Sequence, residues 1–558
     1  VSFRNNKNLN IVILLAIVTL FSFLPLFNST LYRMDDIYFD MLRIESTKDA
    51  LIQGIFPLKI APHYLNNYGY GIGFFYCPLF IYPAAFLKVI GFSTITSFKL
   101  FLVGCGFAAT ASMYFAAYKI TTKKYFALIA TILYTTSHYK IIDTIYRGAI
   151  GETLVFIFLP FAILGVHEML YGDGKKWSYL AIGMSGIFLS HVLASLLLAI
   201  YLIISYLIRI KFLWHEKYRI LNSLKAIGIT LLLSAFYWIP MFEQMFHSRF
   251  SLNTSIANIN SRGFELASLF DTKMVNQTID TPYSVGFVLL SIGLFAWIYR
   301  IKLSAFMKTS LILGYCFFFL TLKSFFWSLV LPILPFFNQI QFPWRFNMLA
   351  TPLLALGGAA ILYQLFFQER TVQTKHFALT AIILGVFGYV GFYTFQFPYQ
   401  REVITFDEHY FEKPNLHSAI GAGEYLPKGT SKRMFLNRGA IFKHDENILL
   451  VDRVTKKKNN LSFDYFLNMK EQKIDVPLVY YYGYRYKIIQ EDRTESKSYP
   501  VSESNDHTVQ VSTKSTHSGT ISIDYVPTLL TKIAYGITFT TLVGISLFYV
   551  KTKKFPGK

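Results

Sequence analysis

The sequence predicts a polytopic α-helical membrane protein with about twelve transmembrane helices, an interfacial helix and a β-rich extracytoplasmic domain near the C-terminus. Three observations predict it: apolar runs of bilayer length, basic residues confined to short loops, and a shift to polar, alternating sequence after residue 395. Of the 558 residues, 53% are hydrophobic and only 15% charged. That leaves too little polar surface to cover a soluble globule of this size.

About 20 apolar residues cross a hydrocarbon core, and somewhat fewer suffice where the bilayer thins. Spans are expected near 9 to 27, 98 to 118, 125 to 140, 151 to 169, 178 to 190, 192 to 208, 224 to 240, 284 to 300, 309 to 322, 346 to 366, 376 to 395 and 527 to 550. The first is expected to be a retained anchor rather than a cleaved signal peptide, because the run is long and no small-residue cleavage site follows it. The stretch 74 to 91 is apolar too, but Pro78 and Pro83 interrupt it. Read as an interfacial helix, it leaves the charge pattern consistent along the rest of the chain.

That pattern is strong. The loops assigned to one side carry twenty-one Lys and Arg, from Arg4 and Lys7 to Lys554 and Lys558, against Asp173, Glu216 and Glu369 alone. Such a bias marks a cytoplasmic face, so the net charge of +21 calls for no nucleic-acid partner. Both termini are then cytoplasmic in a multi-pass plasma-membrane protein. Residues 28 to 97, the loop near 140 to 150, and the segment 396 to 526 fall outside. Cys77, Cys105 and Cys316 lie in apolar segments, so no disulfide framework is available.

Three regions follow: a transmembrane domain over 1–395, a β-rich domain over 396–526, and a final helix with a basic tail over 527–558. In the second, Thr520 to Tyr525 alternates polar and apolar residues, and Val479 to Tyr486 is rich in aromatics. No P-loop, dinucleotide fingerprint or CxxC metal site is present.

Polar residues at the outer ends of the spans are the candidates for chemistry. Asp35 and Asp36 open the first outer loop close to the membrane surface, where a carboxylate can take the proton of an acceptor hydroxyl. The same pair also reads as the solvated start of a loop. In the second outer loop stand Asp143, Arg147 and Glu152, the last at the start of an apolar span where a charge is costly. An acid there equally reads as a helix N-terminal cap. Arg147 adds nothing to a positive-inside bias, and its guanidinium suits phosphate oxygens.

Arg345, in QFPWRF, reads as a lipid-phosphate contact or an interfacial anchor. His191, between two apolar runs, reads more readily as structural. Lys59 and His63 make the first loop basic. Tyr68 and Tyr70, in the run YGYGIGFFY, offer aromatic faces of the kind that pack on sugar rings or line a membrane interface.

This order of parts resembles the GT-C superfamily of membrane glycosyltransferases: a first span, a long outer loop opening with an acid, a Pro-aromatic interfacial helix, a basic inner turn and a second acidic outer loop. A closer local resemblance is to bacterial YfhO-type membrane proteins, also labelled as related to 6-pyruvoyl-tetrahydropterin synthase. It rests on RIESTKDALIQGIFPLKIAPHYLNNYGYGIGFFY, YRGAIGETLVFIFLP, FLSHVLASLL, QFPWRF, GAGEYLP and PLVYYYGYRYKI.

The resemblance implies an inverting transfer of a sugar from a polyprenyl-phosphate donor to an envelope polymer or glycolipid outside the membrane. Asp35 or Asp36 then looks like the base, Asp143 and Glu152 like second-loop acids, and Arg147, Arg345 and Lys59 like donor-phosphate contacts. In some relatives a divalent cation, Mg²⁺ or Mn²⁺, is held by acids of both loops, a role that would fall here on Asp36 and Glu152; others use none. The chain departs from the pattern at Tyr76-Cys77-Pro78-Leu79, which has no Lys before the Pro-aromatic helix. Two other functions fit the same topology: transport or flipping of a lipid-linked glycan, and a noncatalytic scaffold that binds envelope polymers through residues 396 to 526.

Overall fold

The computed structural model describes the chain except for residues 1, 29, 253–258, 260–262, 267–282, 401, 405–419, 422, 440, 445–448, 458–459, 468–470, 491–493, 514–517 and 555–558. Each of the twelve expected spans falls on helix. Among the described residues, five helices are long and apolar enough to cross a bilayer: Thr94–Thr121, Ile150–Leu170, Pro343–Phe366, Val372–Phe392 and Leu529–Phe548. Lys217–Leu233 and Ala235–His247 form a sixth candidate, bent by 71°. The remaining apolar helices have 10–17 residues. At 1.5 Å per residue these fall short of a 30 Å core by themselves. The chain is a membrane protein with several candidate spans, and twelve full crossings exceed what helix length alone supports. The interfacial stretch is broken as its prolines require, with a turn at Ile72–Phe75 and a helix at Tyr82–Val89 whose Pro83 occupies the first turn. Phe86, Val89, Ile90 and Phe92 remain exposed.

The chain divides into two compact units, one of residues 1–40, 95–231 and 255–405, the other of residues 41–94, 232–254 and 406–558.

In the first unit, small residues let helices meet closely. A Cβ on Gly183 would come within 2.3 Å of the Ala162 backbone, and one on Gly165 within 2.5 Å of Leu180. Helix Ser178–Ser190 therefore lies against Ile150–Leu170 at backbone distance, as helices do where lipid supplies no hydrophobic drive. Hydroxyls add a polar ladder: Thr110 Oγ1 lies 3.0 Å from both Thr19 Oγ1 and Thr135 Oγ1.

Pro160, inside Ile150–Leu170, cannot donate to the carbonyl four residues earlier. That carbonyl, Phe156 O, accepts from the Tyr134 hydroxyl at 2.6 Å. In a bilayer each unpaired backbone group is costly, and a neighbouring side chain here supplies the missing donor. Tyr134→Phe is expected to destabilise the protein by about 1–3 kcal/mol, the cost of an orphaned buried acceptor. A thermal melt in detergent checks it. A short antiparallel pair, β1 (Leu31–Tyr32) with β2 (Val403–Ile404), ties the end of the first helix to the end of Val372–Gln400.

The second unit carries the β-rich region. Strands β3 (Leu449–Lys457), β4 (Asn460–Leu467), β5 (Lys473–Val479), β6 (Tyr484–Ile489), β7 (Tyr499–Pro500), β8 (Ser502–Glu503), β9 (Thr508–Ser512) and β10 (Ser518–Tyr525) form two antiparallel sheets, ordered β3-β4-β10-β6-β7 and β5-β9-β8. The register places Ile521 opposite Phe463 and Ile488, and Ile523 opposite Leu461 and Tyr486. All six are buried, so the period-2 pattern of the sequence is the core face of the larger sheet. Gly483, at φ +114°, makes the turn into β6, where a side chain would collide with Tyr525.

Candidate functional site

The first unit brings six of the predicted residues together: Asp35, Asp36, Asp143, Arg147, Glu152 and Arg345. A π-helical turn at Ile142–Tyr146 puts Asp143 and Arg147 on one side, four residues apart. Gly148 follows in the left-handed region at φ +66°. A Cβ there would meet the Met34 sulfur at 2.9 Å, so glycine lets the second loop lie against the first. Helix Ile150–Leu170 then begins, with Glu152 in its first turn.

Two polar links fix the first loop to this turn. The Asp36 N–H donates to Arg147 O at 2.9 Å. One helical turn later, Asp40 Oδ2 accepts from the Ile150 N–H at 3.1 Å. Asp40 thereby caps, from a distant segment, a helix whose own Ala149 offers no side-chain cap.

Glu152 is the keystone. Its Oε1 accepts from Arg345 Nε at 2.9 Å, while Oε2 lies 3.0 Å from Arg147 Nη1 and accepts from the Tyr139 hydroxyl at 3.2 Å. Arg147 Nη1 also binds Asp143 Oδ1, and its Nη2 lies 3.7 Å from Asp36 Oδ2. Arg345 sits in the single 3₁₀ turn Pro343–Phe346 and donates to Ile340 O at 2.8 Å and to Gln341 Oε1 at 2.9 Å. The flanking Trp344 ring stacks on Tyr283 at 4.4 Å and on Phe342 at 4.3 Å. Its indole N–H has no hydrogen-bond partner among the described residues. The Tyr283 hydroxyl donates to Asp35 Oδ2 at 3.2 Å, which brings the other aspartate of the pair to the same site.

Accessibility separates the acids. The side chain of Asp143 is 0% exposed and that of Glu152 2%, whereas that of Asp36 is 42% exposed. Although solvent reaches it, Asp36 is ringed by protein. Desolvation pushes its pKa up to about 6, a rise that Arg147 opposes and Asp40, Asp35 and Glu152 reinforce. Burial raises Asp143 well above the usual carboxylate range, with the charge of Glu152 adding to it. Burial thus favours the protonated form of Asp143, and the charge of Arg147 opposes it. Burial by itself would lower Arg147, but Glu152, Asp143 and Asp36 hold it well above its ordinary value. Asp143→Asn, which keeps the size of the side chain and an oxygen that can accept from Arg147, is expected to change thermal stability by less than about 1 kcal/mol. Asp143→Leu, which orphans an Arg147 donor, is expected to cost more, and paired melts check the difference.

The donor set suits guanidinium groups rather than a divalent cation. Both oxygens of Glu152 are taken, and Arg147 lies between Glu152 and Asp36 where Mg²⁺ or Mn²⁺ would have to sit. Among the described residues, no group of three or more His, Cys, Asp or Glu side chains could hold a metal ion.

The other predicted residues have local duties. His191 interrupts two helices in an extended conformation, and its Nδ1 accepts from the Ala194 N–H at 3.2 Å, capping Val192–Ile208. It also acts electrostatically on Glu152.

Lys59, His63, Tyr68 and Tyr70 belong to the second unit. Lys59 is not an open phosphate contact. Its buried Nζ donates to Phe236 O at 3.2 Å, the carbonyl that Pro240 leaves without a helical donor, and burial pushes its ammonium down to about 8. His63 Nε2 lies 3.5 Å from Asp49 Oδ2. Tyr68 and Tyr70 do not present faces to a sugar, because both are fully buried. The Tyr68 hydroxyl donates to Gly439 O at 2.6 Å, and the Tyr70 oxygen accepts from the Tyr425 N–H at 3.2 Å. Ile420, Tyr425 and Gly439 cover what the sequence alone presents as an open aromatic run.

Asp40, Tyr139 and Tyr283 complete the site without having been predicted. Asp40 had a signal, one turn after Asp36 on the same helix. Tyr139 and Tyr283 had none.

Residues 74–394 match the model of the 6-pyruvoyl-tetrahydropterin synthase related domain, described as a membrane protein. An uncharacterized protein of Lactococcus lactis subsp. cremoris (strain MG1363) is 26% identical over 269 residues, which are 46% of this chain and 42% of that relative. The matched stretch is thus less than half of either protein.

Proposed function

The chain belongs to this 6-pyruvoyl-tetrahydropterin synthase related family of membrane proteins, and on that premise we propose that it is an inverting, GT-C-type glycosyltransferase using a polyprenyl-phosphate sugar donor. The observation that carries the reading is Asp36: a solvent-reachable carboxyl that changes protonation near pH 6, held beside the fixed guanidinium of Arg147. A general base works best with a pKa near the operating pH.

In the proposed reaction, Asp36 takes the proton of an acceptor hydroxyl as its oxygen bonds to the anomeric carbon. The bond from that carbon to the phosphate oxygen breaks on the opposite face, and polyprenyl phosphate leaves. Charge then builds on the phosphate, where Arg345 is suited to meet it. Three of its donors are engaged, and Nη2 makes no hydrogen bond among the described residues. Asp35, bound by the Tyr283 hydroxyl, is assigned to orienting the acceptor. The acceptor class is an extracytoplasmic envelope polymer or glycolipid, in keeping with acids at the ends of spans opposite the basic loops.

The test is sugar transfer in reconstituted vesicles by Asp35→Asn, Asp36→Asn and the double variant. Lost turnover with donor binding retained in Asp36→Asn supports the base role. Undiminished transfer by the double variant overturns it, and lipid translocation without transfer would make the protein a flippase. Arg345→Lys keeps the charge and loses the fork. It is expected to lower kcat/KM by about 10- to 100-fold, the worth of one or two charged hydrogen bonds, with most of the loss in kcat.

A further inference from the structure

A second polar recess in the first unit has no part in this chemistry. It lies at the other end of helix Ile150–Leu170, where His167 stands fifteen residues beyond Glu152, roughly 22 Å along the helix. Its volume is about 400 Å³, and it is lined by residues of five helices and their connecting loops. Phe126, Phe306, Met307 and Ala360 form a buried apolar floor, while Lys123, Ser304 and Gln368 form an exposed polar rim.

Three features give this recess a preference for an anion. No Asp or Glu lines it, and Lys123 stands at its mouth. Helices Lys124–Thr135 and Ala305–Phe319 both begin there, the first without a side-chain cap, so backbone N–H groups and two helix dipoles point the same way. His167, against Phe306 at 4.8 Å, has a buried Nδ1 with no hydrogen-bond partner among the described residues. That nitrogen, at the wall of the recess, is open to a hydrogen bond from whatever fills it.

We propose that this recess binds the headgroup of an acidic phospholipid, with the first carbons of its chains on the apolar floor. The gradient from polar rim to apolar floor selects a ligand whose anion is joined to hydrocarbon, and a free phosphate would leave the floor empty. Lys123 stands at its mouth, and Lys119, Lys124, Lys302 and Lys308 lie within four residues of its lining in sequence, on the basic face where an anionic leaflet would lie.

The test is native mass spectrometry of the full chain extracted from vesicles of phosphatidylglycerol mixed with phosphatidylcholine. Phosphatidylglycerol is expected to be retained preferentially. Lys123→Glu should reduce its retention by at least about fivefold, the worth of one lysine beside an anionic lipid, with an unchanged melting temperature. Ala360→Trp fills the floor and should act in the same direction. Equal retention of the two lipids overturns the proposal, as does phosphatidylglycerol binding indifferent to Lys123→Glu. Displacement of the lipid by millimolar inorganic phosphate would also overturn it, since the site would then be one for free phosphate. None of these readouts depends on sugar transfer, so the proposal stands or falls apart from the reading of Asp36.

Discussion

Glu152→Gln is expected to destabilise the protein by about 3–5 kcal/mol and to abolish transfer, because it strips a charge shared by two buried guanidinium groups. The Arg147 and Arg345 side chains are each only 7% exposed, so neither can turn to water when the carboxylate is gone. The amide can accept from one of them, but its NH₂ then faces the other as a second donor. Thermal unfolding in detergent measures the loss. The double variant Glu152→Leu, Arg345→Met removes one cation with the anion, and its cost should fall well below the sum of the two single changes. Additive costs would mean that Arg345 and Glu152 are independent, against the 2.9 Å contact between them.

Asp36→Asn is expected to lower turnover by about 10²- to 10⁴-fold, the usual contribution of a positioned base, while raising stability above pH 6, where it removes an ionised carboxyl that the fold disfavours. The wild type should show a rate that climbs with pH and levels off above about 6, the value to which burial raises this carboxyl. The folded-state pKa lies above the ordinary 3.8, so the fold disfavours ionisation of this group. Its contribution to stability is therefore fully present below the ordinary value and is lost as pH rises through about 6. Activity and stability thus move in opposite directions across that window. In Asp36→Asn both pH dependences should flatten together. A rate profile that kept its inflection near 6 in the variant would assign the titration to another group.

Much of this was legible because the bilayer makes polar residues conspicuous. Glu152 and Arg345 stood out as charges at the ends of apolar runs, and Arg147 as a cation on the face opposite the basic loops. The strand at Thr520–Tyr525 was legible from period-2 alternation. The partner of each acid was not. Arg345 meets Glu152 across 193 residues of sequence, and no local pattern encodes such a meeting. The Gly/Tyr run was misread for a related reason. Glycine-rich aromatic sequence reads as an accessible loop, but a segment 350 residues later buries Tyr70. Lys59 was read as a free cation because its partner, a carbonyl orphaned by Pro240, is a property of another helix. The number of full crossings also stayed open: hydropathy counts apolar segments, whereas helix length decides which can reach across.

The two interrupted helices bear on how such a sequence can change over time. Pro160 and Tyr134, like Pro240 and Lys59, each form a lock of two distant positions, a missing donor in one helix and a borrowed one from elsewhere. Replacing the proline alone restores the backbone N–H and strands the Tyr hydroxyl or Lys ammonium in an apolar setting. Replacing the borrowed donor alone strands the carbonyl. Each pair is therefore epistatic by construction: both members persist or both are exchanged, and intermediates with one member are handicapped. Among descendants of a common ancestor, proline at position 160 should travel with a hydroxyl-bearing ring at position 134, whatever becomes of the activity.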